Sequence, residues 1–301
     1  MRKIGELIDS SQISEMKKES IMSLSQEKHI QEFFQKNHLD TSMMLDYWVE
    51  LLDFNDDYKT CLHCPSLEHC PKANQGMRKR LAYYDNEIIL ELESCQYGKQ
   101  WEEKRQLLEK FVITNVNDDM LLVDMKGLDI LKKTELTPNE KLALAQIIKY
   151  VKNPTDQGFF LHGEMRTGKT TLLAGLMNAL ARQGKEIGFI HFPTYLIDLK
   201  ASFSTGDNEY AMDKLMKVDY LLLDGIGEEN VTTWSRDEIL LTILSYRLLN
   251  HLPTFFTSMY GYKDLNKVYT IKKGDEIRAN TITSKMKALS IEIMLDGGKI
   301  R

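Results

Sequence analysis

Residues 163–170 read Gly-Glu-Met-Arg-Thr-Gly-Lys-Thr, which fits the phosphate-binding loop G-x-x-x-x-G-K-[ST]. The apolar run at 158–162 before it predicts a buried strand, and residues 170–180 after it predict a helix. In such a loop the backbone N–H groups converge at the positive end of the helix and bind phosphate. The predicted nucleotide-binding residues are Gly163, Glu164, Met165, Arg166, Thr167, Gly168, Lys169, Thr170 and Thr171.

Three side chains have predicted chemical roles at this site. Lys169 reaches the outer phosphates, and the Thr170 hydroxyl ligates Mg²⁺. Residues 218–224 form an apolar run that ends in Asp224, about 55 residues after Lys169. A carboxylate at the end of such a strand holds the magnesium opposite the loop hydroxyl. Lys169 and Asp224 are therefore the predicted catalytic residues, and Thr170 and Asp224 the predicted magnesium ligands.

The composition is that of an ordinary globular protein. The chain has 301 residues, of which 43% are hydrophobic and 28% charged, with a formal net charge of −5. This length accommodates two domains. No apolar stretch is long enough to cross a bilayer and the first residues are polar, so we expect a cytoplasmic protein without a membrane partner. The negative charge argues against non-specific coating of nucleic acid but leaves a local basic groove open.

All four cysteines lie between positions 61 and 95, which is a second, independent signal. Cys61 and Cys64 form a C-x-x-C pair, Cys70 follows six residues later, and Cys95 lies a further 25 residues on. Thiolates in this number are the ligands that structural zinc prefers. A reducing cytosol disfavours a disulfide framework, and no thioredoxin-like strand-turn-helix surrounds the pair. The four cysteines are therefore the predicted zinc ligands.

The cysteine pattern predicts zinc more firmly than it predicts which residues bind it. His63 and His69 lie in the same loop and either can replace Cys70, although a solvated loop histidine is the favoured interpretation of each. Residues 52–98 are polar and lack long apolar runs, so we expect metal ligation to supply folding energy that a core there cannot. No general base stands beside the cysteines, which favours a structural role.

The apolar pattern divides the chain into three parts. Residues 1–111 are predicted to form a small helical zinc-binding domain, because apolar residues recur at three- and four-residue spacing between 12 and 52. Residues 112–136 are a weakly patterned linker. Thr137-Pro138-Asn139-Glu140 is a capping box with proline at the first helical position, and it opens the third part, 137–301.

The third part alternates between predicted strands and predicted helices. The strands are 158–162, 187–192, 218–223, 254–258 and 290–295, and the helices are 169–183, 194–203, 207–216, 235–250 and 275–289. Such alternation predicts an α/β fold in which helices cover both faces of a parallel sheet.

Further segments strengthen the signal of the loop. They are 221–229 (Leu-Leu-Leu-Asp-Gly-Ile-Gly-Glu-Glu), 234–240 (Trp-Ser-Arg-Asp-Glu-Ile-Leu), 243–247 (Ile-Leu-Ser-Tyr-Arg) and 252–258 (Leu-Pro-Thr-Phe-Phe-Thr-Ser). Together with the loop they resemble the bacterial primosomal helicase loaders of the DnaI and DnaC type, within the AAA+ ATPases. The C-x-x-C segment with a later cysteine is similar to the zinc-bearing, helicase-binding domain of the DnaI branch. The resemblance covers nearly the whole chain.

The resemblance implies a function and a set of partners. The N-terminal domain would bind the replicative hexameric helicase, and the AAA+ P-loop domain would bind ATP with Mg²⁺ and single-stranded DNA. In such assemblies ATP lies between neighbouring subunits, which implies a homo-oligomer on the helicase and an arginine acting in trans. The candidates are Arg236, Arg247 and Arg278. The late basic residues can touch DNA phosphates, although a solvated face is the favoured interpretation; they are Lys263, Lys267, Lys272, Lys273 and Arg278.

The chain departs from the family pattern at four positions. Arg166 stands where the loop usually has glycine, and Gly225 stands where a second acid usually orients the attacking water. Met259 replaces a sensing asparagine, and Lys285 lies near the usual position of a sensing arginine. Loss of such groups lowers reaction rates by orders of magnitude while nucleotide affinity persists. We therefore expect ATP binding with slow hydrolysis.

Two other functions fit part of the sequence. A transposition helper ATPase of the IstB type shares the AAA+ core, but the cysteine segment favours the loader. A non-hydrolysing adaptor, in which a zinc domain recognises a protein and ATP merely stabilises the scaffold, is the alternative from the class of binding modules.

Overall fold

The computed structural model describes residues 10–125, 136–202 and 208–296. The chain divides into two compact units, Met1–Glu103 and Lys104–Arg301. In the first unit, helices precede an antiparallel hairpin, and a final helix runs across the division. These elements are α1 (Ser10–Gln26), α2 (Lys28–Lys36), α3 (Met43–Asp46), α4 (Trp48–Leu62), β1 (Met77–Tyr84), β2 (Glu87–Ser94) and α5 (Gln96–Leu108).

The hairpin gives the first unit a core that the sequence did not reveal. Its turn consists of Asp85 and Asn86, whose φ angles of +51° and +68° match a two-residue type I′ turn. Leu81 and Ile88 on its inner face pack against buried apolar residues of the helices. The expectation that 52–98 lacks a core is therefore wrong. The outer face of the hairpin is charged. It carries cross-strand ion pairs between Arg78 and Glu93 and between Arg80 and Glu91.

The second unit alternates between strands and helices along most of its length. Its strands are β3 (Phe111–Thr114), β4 (Gly158–His162), β5 (Ile187–His191), β6 (Tyr220–Asp224), β7 (Thr254–Ser258) and β8 (Ser290–Met294). Its helices are α6 (Asp118–Leu121), α7 (Pro138–Lys152), α8 (Lys169–Arg182), α9 (Phe192–Ser202), α10 (Asn208–Lys217), a π-helical segment (Trp234–Leu240), α11 (Leu241–Leu249), α12 (Tyr262–Tyr269) and α13 (Glu276–Leu289).

The strands form one parallel sheet in the order β3-β5-β6-β7-β4-β8. Alternate residues of each strand enter two separate cores. Phe159 and Leu222 belong to the core that includes α8, whereas Phe160 and Leu223 belong to the core that includes α11 and α13. The predicted α/β fold with a parallel sheet covered on both faces is confirmed. Burial on both faces explains why the strands are nearly continuous apolar runs.

The structure differs from the sequence-based prediction in the stretch 112–136. Residues 111–114 are an edge strand that pairs with β5, and 118–121 form a short helix that packs on α8. Residues 126–135 of the predicted linker lie outside the described residues. The partner of β3 lies more than 70 residues away in sequence, and local pattern carries no record of such a pairing.

The start of α7 follows the predicted capping box. Thr137 Oγ1 accepts from the Glu140 N–H at 3.2 Å, and Glu140 Oε2 accepts from the Thr137 N–H at 2.9 Å. Because Pro138 has no N–H, three donors are unpaired at the helix start, and two of them are thereby satisfied. Within 10–125, 136–202 and 208–296, every helix is too short or too polar to cross a membrane.

Candidate nucleotide-binding site

The phosphate loop joins the end of β4 to the start of α8 and has a left-handed backbone at three positions. The φ angle is +142° at Gly163, +65° at Arg166 and +90° at Gly168. A Cβ at Gly163 would lie 2.1 Å from the carbonyl oxygen of Leu295, so that only glycine fits against the end of β8. Gly168 is the N-cap of α8, and the loop therefore closes on the positive end of that helix.

Lys169 is buried against the loop. Its Nζ donates to the carbonyl oxygens of Gly163 at 2.9 Å and of Glu164 at 2.6 Å. Burial lowers the pKa of Lys169, and the carboxylates of Glu228 and Asp224 oppose that shift. The ammonium group thus lies where a bound phosphate can replace the two carbonyls as its partner.

Asp224 lies at the point where three elements meet. Its Oδ1 accepts a hydrogen bond of 2.6 Å from Thr170 Oγ1 on α8 and another of 2.6 Å from Thr257 Oγ1 on β7. Thr257 Oγ1 in turn accepts from the Gly225 N–H at 3.0 Å. The structure therefore brings together the two predicted magnesium ligands, Thr170 and Asp224. Thr257 is an additional contact, which the sequence indicated only as part of a family motif.

The remaining residues of the predicted loop differ in exposure. Glu164, Met165 and Arg166 are exposed, whereas Thr167 is buried and donates from Oγ1 to the Glu164 carbonyl at 3.0 Å. Thr171 is half-buried in the first turn of α8. A cleft of about 940 Å³ lies beside the loop and is bordered by Met165, Met259, Met294 and Asp296, among others. Its volume is within the range of small-molecule sites.

The missing second acid has a backbone cause. Gly225 follows Asp224 with φ +76°, a conformation that disfavours every residue with a Cβ. A Cβ there would lie 3.2 Å from His191 Nε2 and 3.4 Å from Pro193 Cδ. In this backbone an acid at position 225 would be both strained and crowded.

Glu228 and Glu229 follow Gly225, and they are not equally able to replace the missing acid. Glu229 is buried, and its carboxylate accepts from the Gly227 N–H at 2.7 Å and from the Tyr269 hydroxyl at 2.9 Å. Burial raises the pKa of Glu229. Its two oxygens are therefore used in holding the loop after β6 to α12. Glu228 is exposed and acts electrostatically on Lys169, so it is the acid of the two that remains available to the site.

The structure separates the three arginine candidates for a contact in trans. Arg236 is 1% exposed and forms ion pairs with Asp237 and Asp275. Arg247 is fully buried, and its guanidinium donates to backbone carbonyls just before β6 and β7. Both are wrong as candidates, because a buried and fully engaged guanidinium cannot reach a neighbouring subunit. Arg278, whose side chain is 59% exposed and lies 3.8 Å from Asp237, remains available.

Lys285, near the usual position of a sensing arginine, lies apart from the loop. Lys285 is one turn before Ala288, whose carbonyl accepts from Gln157 just ahead of β4. That end of α13 therefore lies where β4 begins, whereas the loop follows the point where β4 ends. Among the late basic residues, Lys267 forms an ion pair with Asp264 at 2.8 Å.

The four cysteines line one cavity of about 480 Å³ in the first unit. All four are free thiols, which disagrees with a disulfide framework. Backbone N–H groups of Lys72 and Gly76 lower the pKa of Cys70, and the Gly98 N–H donates to Cys95 Sγ at 3.4 Å. Such N–H groups stabilise thiolates, which is what a metal site requires.

A lysine and a histidine complete the surroundings of these thiols. Lys72 Nζ donates to Cys61 Sγ at 2.8 Å and forms an ion pair with Asp57 at 2.6 Å. His69 is exposed and hydrogen-bonded to Ser66. Among the described residues, no group of three or more His, Cys, Asp or Glu side chains is arranged closely enough to hold a metal ion. The donors suit zinc, but their described positions do not form a closed ligand set.

Comparison with known families identifies the family to which most of the chain belongs. The profile of the family described as IstB-like ATP binding protein matches residues 88–291, and the chain belongs to that family. The match includes the phosphate loop and Asp224. It supports an AAA+ P-loop domain and a nucleotide as the ligand of the site.

Individual relatives extend the likeness further along the chain. The replicative helicase loader DnaI of Bacillus subtilis (strain 168) is 25% identical over 293 residues, which cover 94% of this chain and 91% of that protein. A crystal structure of DnaI is 26% identical, with a TM-score of 0.55 and coverage of 61% of this chain and 97% of that one. A candidate primosome component from Streptococcus pyogenes serotype M3 is 28% identical, with a TM-score of 0.54 and coverage of 65% and 98%. The resemblance to loaders of the DnaI type is confirmed.

Gly225→Ala should destabilise the protein by about 1–2 kcal/mol, because the left-handed backbone disfavours a Cβ and its neighbours leave little room. Gly184→Ala is the matched control, since Gly184 has φ +85° with nothing within 4 Å of the added Cβ. The free energy of unfolding in urea should therefore fall further for Gly225→Ala than for Gly184→Ala. Equal stability of Gly225→Ala and the wild type would show that the backbone does not exclude the acid.

Proposed function

We propose that the protein is an ATP-binding helicase loader, which binds the replicative DNA helicase and assists its loading onto single-stranded DNA during primosome assembly. The observation that carries the proposal is the extent of the likeness to DnaI. It covers 94% of the chain, whereas the IstB-like profile begins at residue 88. The alignment with the loader therefore includes most of the N-terminal unit, which lies mostly outside the residues that the ATPase profile matches.

We assign the two functions to separate parts of the chain. The first unit, Met1–Glu103, would bind the helicase, and the second unit, Lys104–Arg301, would bind ATP. If copies assemble on the helicase, Arg278 is the exposed arginine available for a contact with the nucleotide of a neighbour. A transposition helper remains the second candidate, because the family profile carries that name.

Thr170 and Asp224 would hold the Mg²⁺ of the nucleotide site. Their side-chain oxygens already lie side by side, joined by a hydrogen bond of 2.6 Å, and both are ligand types that Mg²⁺ accepts. The ion would neutralise phosphate charge. Thr257 keeps the Asp224 carboxylate oriented, and Lys169 exchanges its two loop carbonyls for phosphate oxygens.

Capture of the host's replicative helicase tests the proposed function. Cys61→Ser should abolish capture with or without ATP, because it disrupts the N-terminal unit. Lys169→Ala should leave basal capture intact and remove the effect of ATP, and Lys185→Ala, at an exposed position after the end of α8, should behave as wild type. The measurement is a pull-down with purified full-length proteins. Failure of the wild type to bind helicase in either condition would reject the loader, and capture of a transposase instead would support the helper.

Slow hydrolysis follows from the groups around the γ-phosphate position. Gly225 has no carboxylate, Glu229 is fully engaged, and Met259 has no polar group to sense phosphate. Because each lost group of this kind costs about 10²–10³ in rate, we infer that the bound nucleotide acts mainly as an assembly switch.

Steady-state ATP turnover should accordingly lie at least about 100-fold below the ~10 s⁻¹ that is typical of enzymes. Asp224→Asn should remove the residual activity, since it weakens the magnesium site without changing the size of the side chain. The measurement is phosphate release under saturating ATP and Mg²⁺, with ATP binding confirmed by calorimetry. Turnover comparable to that of AAA+ motors would contradict the inference.

We further propose that Cys61, Cys64, Cys70 and Cys95 bind a structural zinc ion. Support comes from their shared cavity, from the N–H groups that lower the pKa of Cys70, and from the hydrogen bond that the Gly98 N–H donates to Cys95 Sγ. Zinc binding would draw the four sulfurs into a tetrahedron and stabilise the segment between α4 and α5.

The purified protein should contain about one zinc per chain, and Cys70→Ser should lower that content several-fold because it removes a ligand. His69→Ala should leave it unchanged, since His69 is exposed and bonded to Ser66. Zinc content can be measured by mass spectrometry of the metal and by colorimetric release. Loss of zinc in His69→Ala but not in Cys70→Ser would show that His69, not Cys70, is the ligand. A wild type without zinc would contradict the proposed site.

A further inference from the structure

Five described residues other than glycine have a left-handed backbone: His38, Asp85, Asn86, Arg166 and His251. Four of them occupy positions where the chain must turn. His38 and His251 come directly after the C-caps of α2 and α11, and Asp85 and Asn86 form the hairpin turn. Arg166 belongs to neither class. It lies in the middle of the phosphate loop.

A left-handed arginine costs stability. The conformation is unfavourable by roughly 1–2 kcal/mol for a residue with a Cβ, and glycine would relieve it at this very position. Strain of this kind is typically kept where the side chain contributes to a site. The strain at Arg166 therefore indicates a functional role for its guanidinium group.

The guanidinium is exposed, and no hydrogen bond or ion pair to it exists within the described residues. Its role is thus not to hold the fold of the unliganded protein. The two neighbouring loop glycines, Gly163 and Gly168, are explained by close approach to Leu295 and by the N-cap of α8. Of the three left-handed residues in this loop, Arg166 is the one whose conformation is not explained by a contact or a cap in the unliganded protein.

The charges around the loop define what such a side chain would meet. Lys169 is the cation buried in the loop, and it faces the carboxylates of Asp224 and Glu228. Asp264 and Asp296 border the adjoining cleft. A triphosphate entering this acidic surrounding needs more positive charge than one lysine and one magnesium ion supply. An arginine fits this need, because its planar guanidinium binds phosphate oxygens in pairs.

We propose that Arg166 is a second phosphate-binding cation of the loop, which contacts the phosphate chain of the nucleotide bound by its own subunit and favours triphosphate over diphosphate. The proposal rests on the proposed ATP-binding function and deepens it. Arg166 supplies positive charge at the loop itself, whereas Lys285, near the usual position of a sensing arginine, lies at the other end of β4. It is a binding group, and it stabilises the switch state with ATP bound.

The test measures Kd for Mg·ATP and Mg·ADP by calorimetry with the full-length protein. Arg166→Gln should weaken ATP about tenfold and ADP about threefold, because a charge-assisted contact is lost mainly at the outer phosphates. Arg166→Lys should lie between Arg166→Gln and wild type. Lys185→Gln removes an exposed charge just after the end of α8 and should stay within about twofold of wild type for both nucleotides.

Arg166→Gly separates strain from charge. It should bind nucleotide as weakly as Arg166→Gln, yet its nucleotide-free form should unfold at a higher temperature than the Gln variant and wild type, since the backbone strain is gone. The ATP affinity of the wild type should also fall more steeply with salt than that of either neutral variant.

The outcomes are distinct. Arg166→Gln binding both nucleotides as tightly as wild type would overturn the proposal and leave the ATP-binding function standing. Equal weakening for ATP and ADP, restored to wild-type affinity in Arg166→Gly, would show a purely conformational role and would also overturn it. A wild type that binds neither nucleotide with Mg²⁺ would reject the proposed function and this inference together.

Discussion

A single carboxylate oxygen joins the parts of the nucleotide site. Asp224 Oδ1 accepts two hydrogen bonds of 2.6 Å, from Thr170 on α8 and from Thr257 on β7. These contacts exist because β6 and β7 are neighbours in a parallel sheet and because α8 begins at the same edge. Sheet order thus fixes the position of the proposed magnesium ligands, and the loop backbone fixes the position of the proposed phosphate site.

Backbone conformation also limits the chemistry of the site. Left-handed φ angles at Gly225 and Arg166 have opposite consequences: one excludes a carboxylate, whereas the other retains a cation at an energetic cost. Glu229 is withdrawn from solvent into a contact with Tyr269. A site of this kind holds nucleotide charge more effectively than it activates water. That balance suits a protein whose assembly, rather than its turnover, is controlled by ATP.

The N-terminal unit has a buried apolar core that its polar composition obscures. The hairpin buries Leu81 and Ile88 against the helices, and its outer face is covered by arginine–glutamate pairs. The cysteine cavity lies between α4 and the end of the hairpin, where free thiols receive backbone N–H groups. The apolar core and the cysteine cavity therefore occupy neighbouring parts of the same small unit.

The sequence alone determined the loop at 163–170, the capping box of α7 and the alternation that predicts a parallel sheet, because each depends on residues close together in the chain. It did not determine β3, which pairs with a distant strand, or the burial of the hairpin, which depends on packing against the helices. Tertiary structure decided that Arg247 is buried and that Glu229 bonds to Tyr269. Burial and long-range partners are properties of the folded chain, and residue type by itself does not record them.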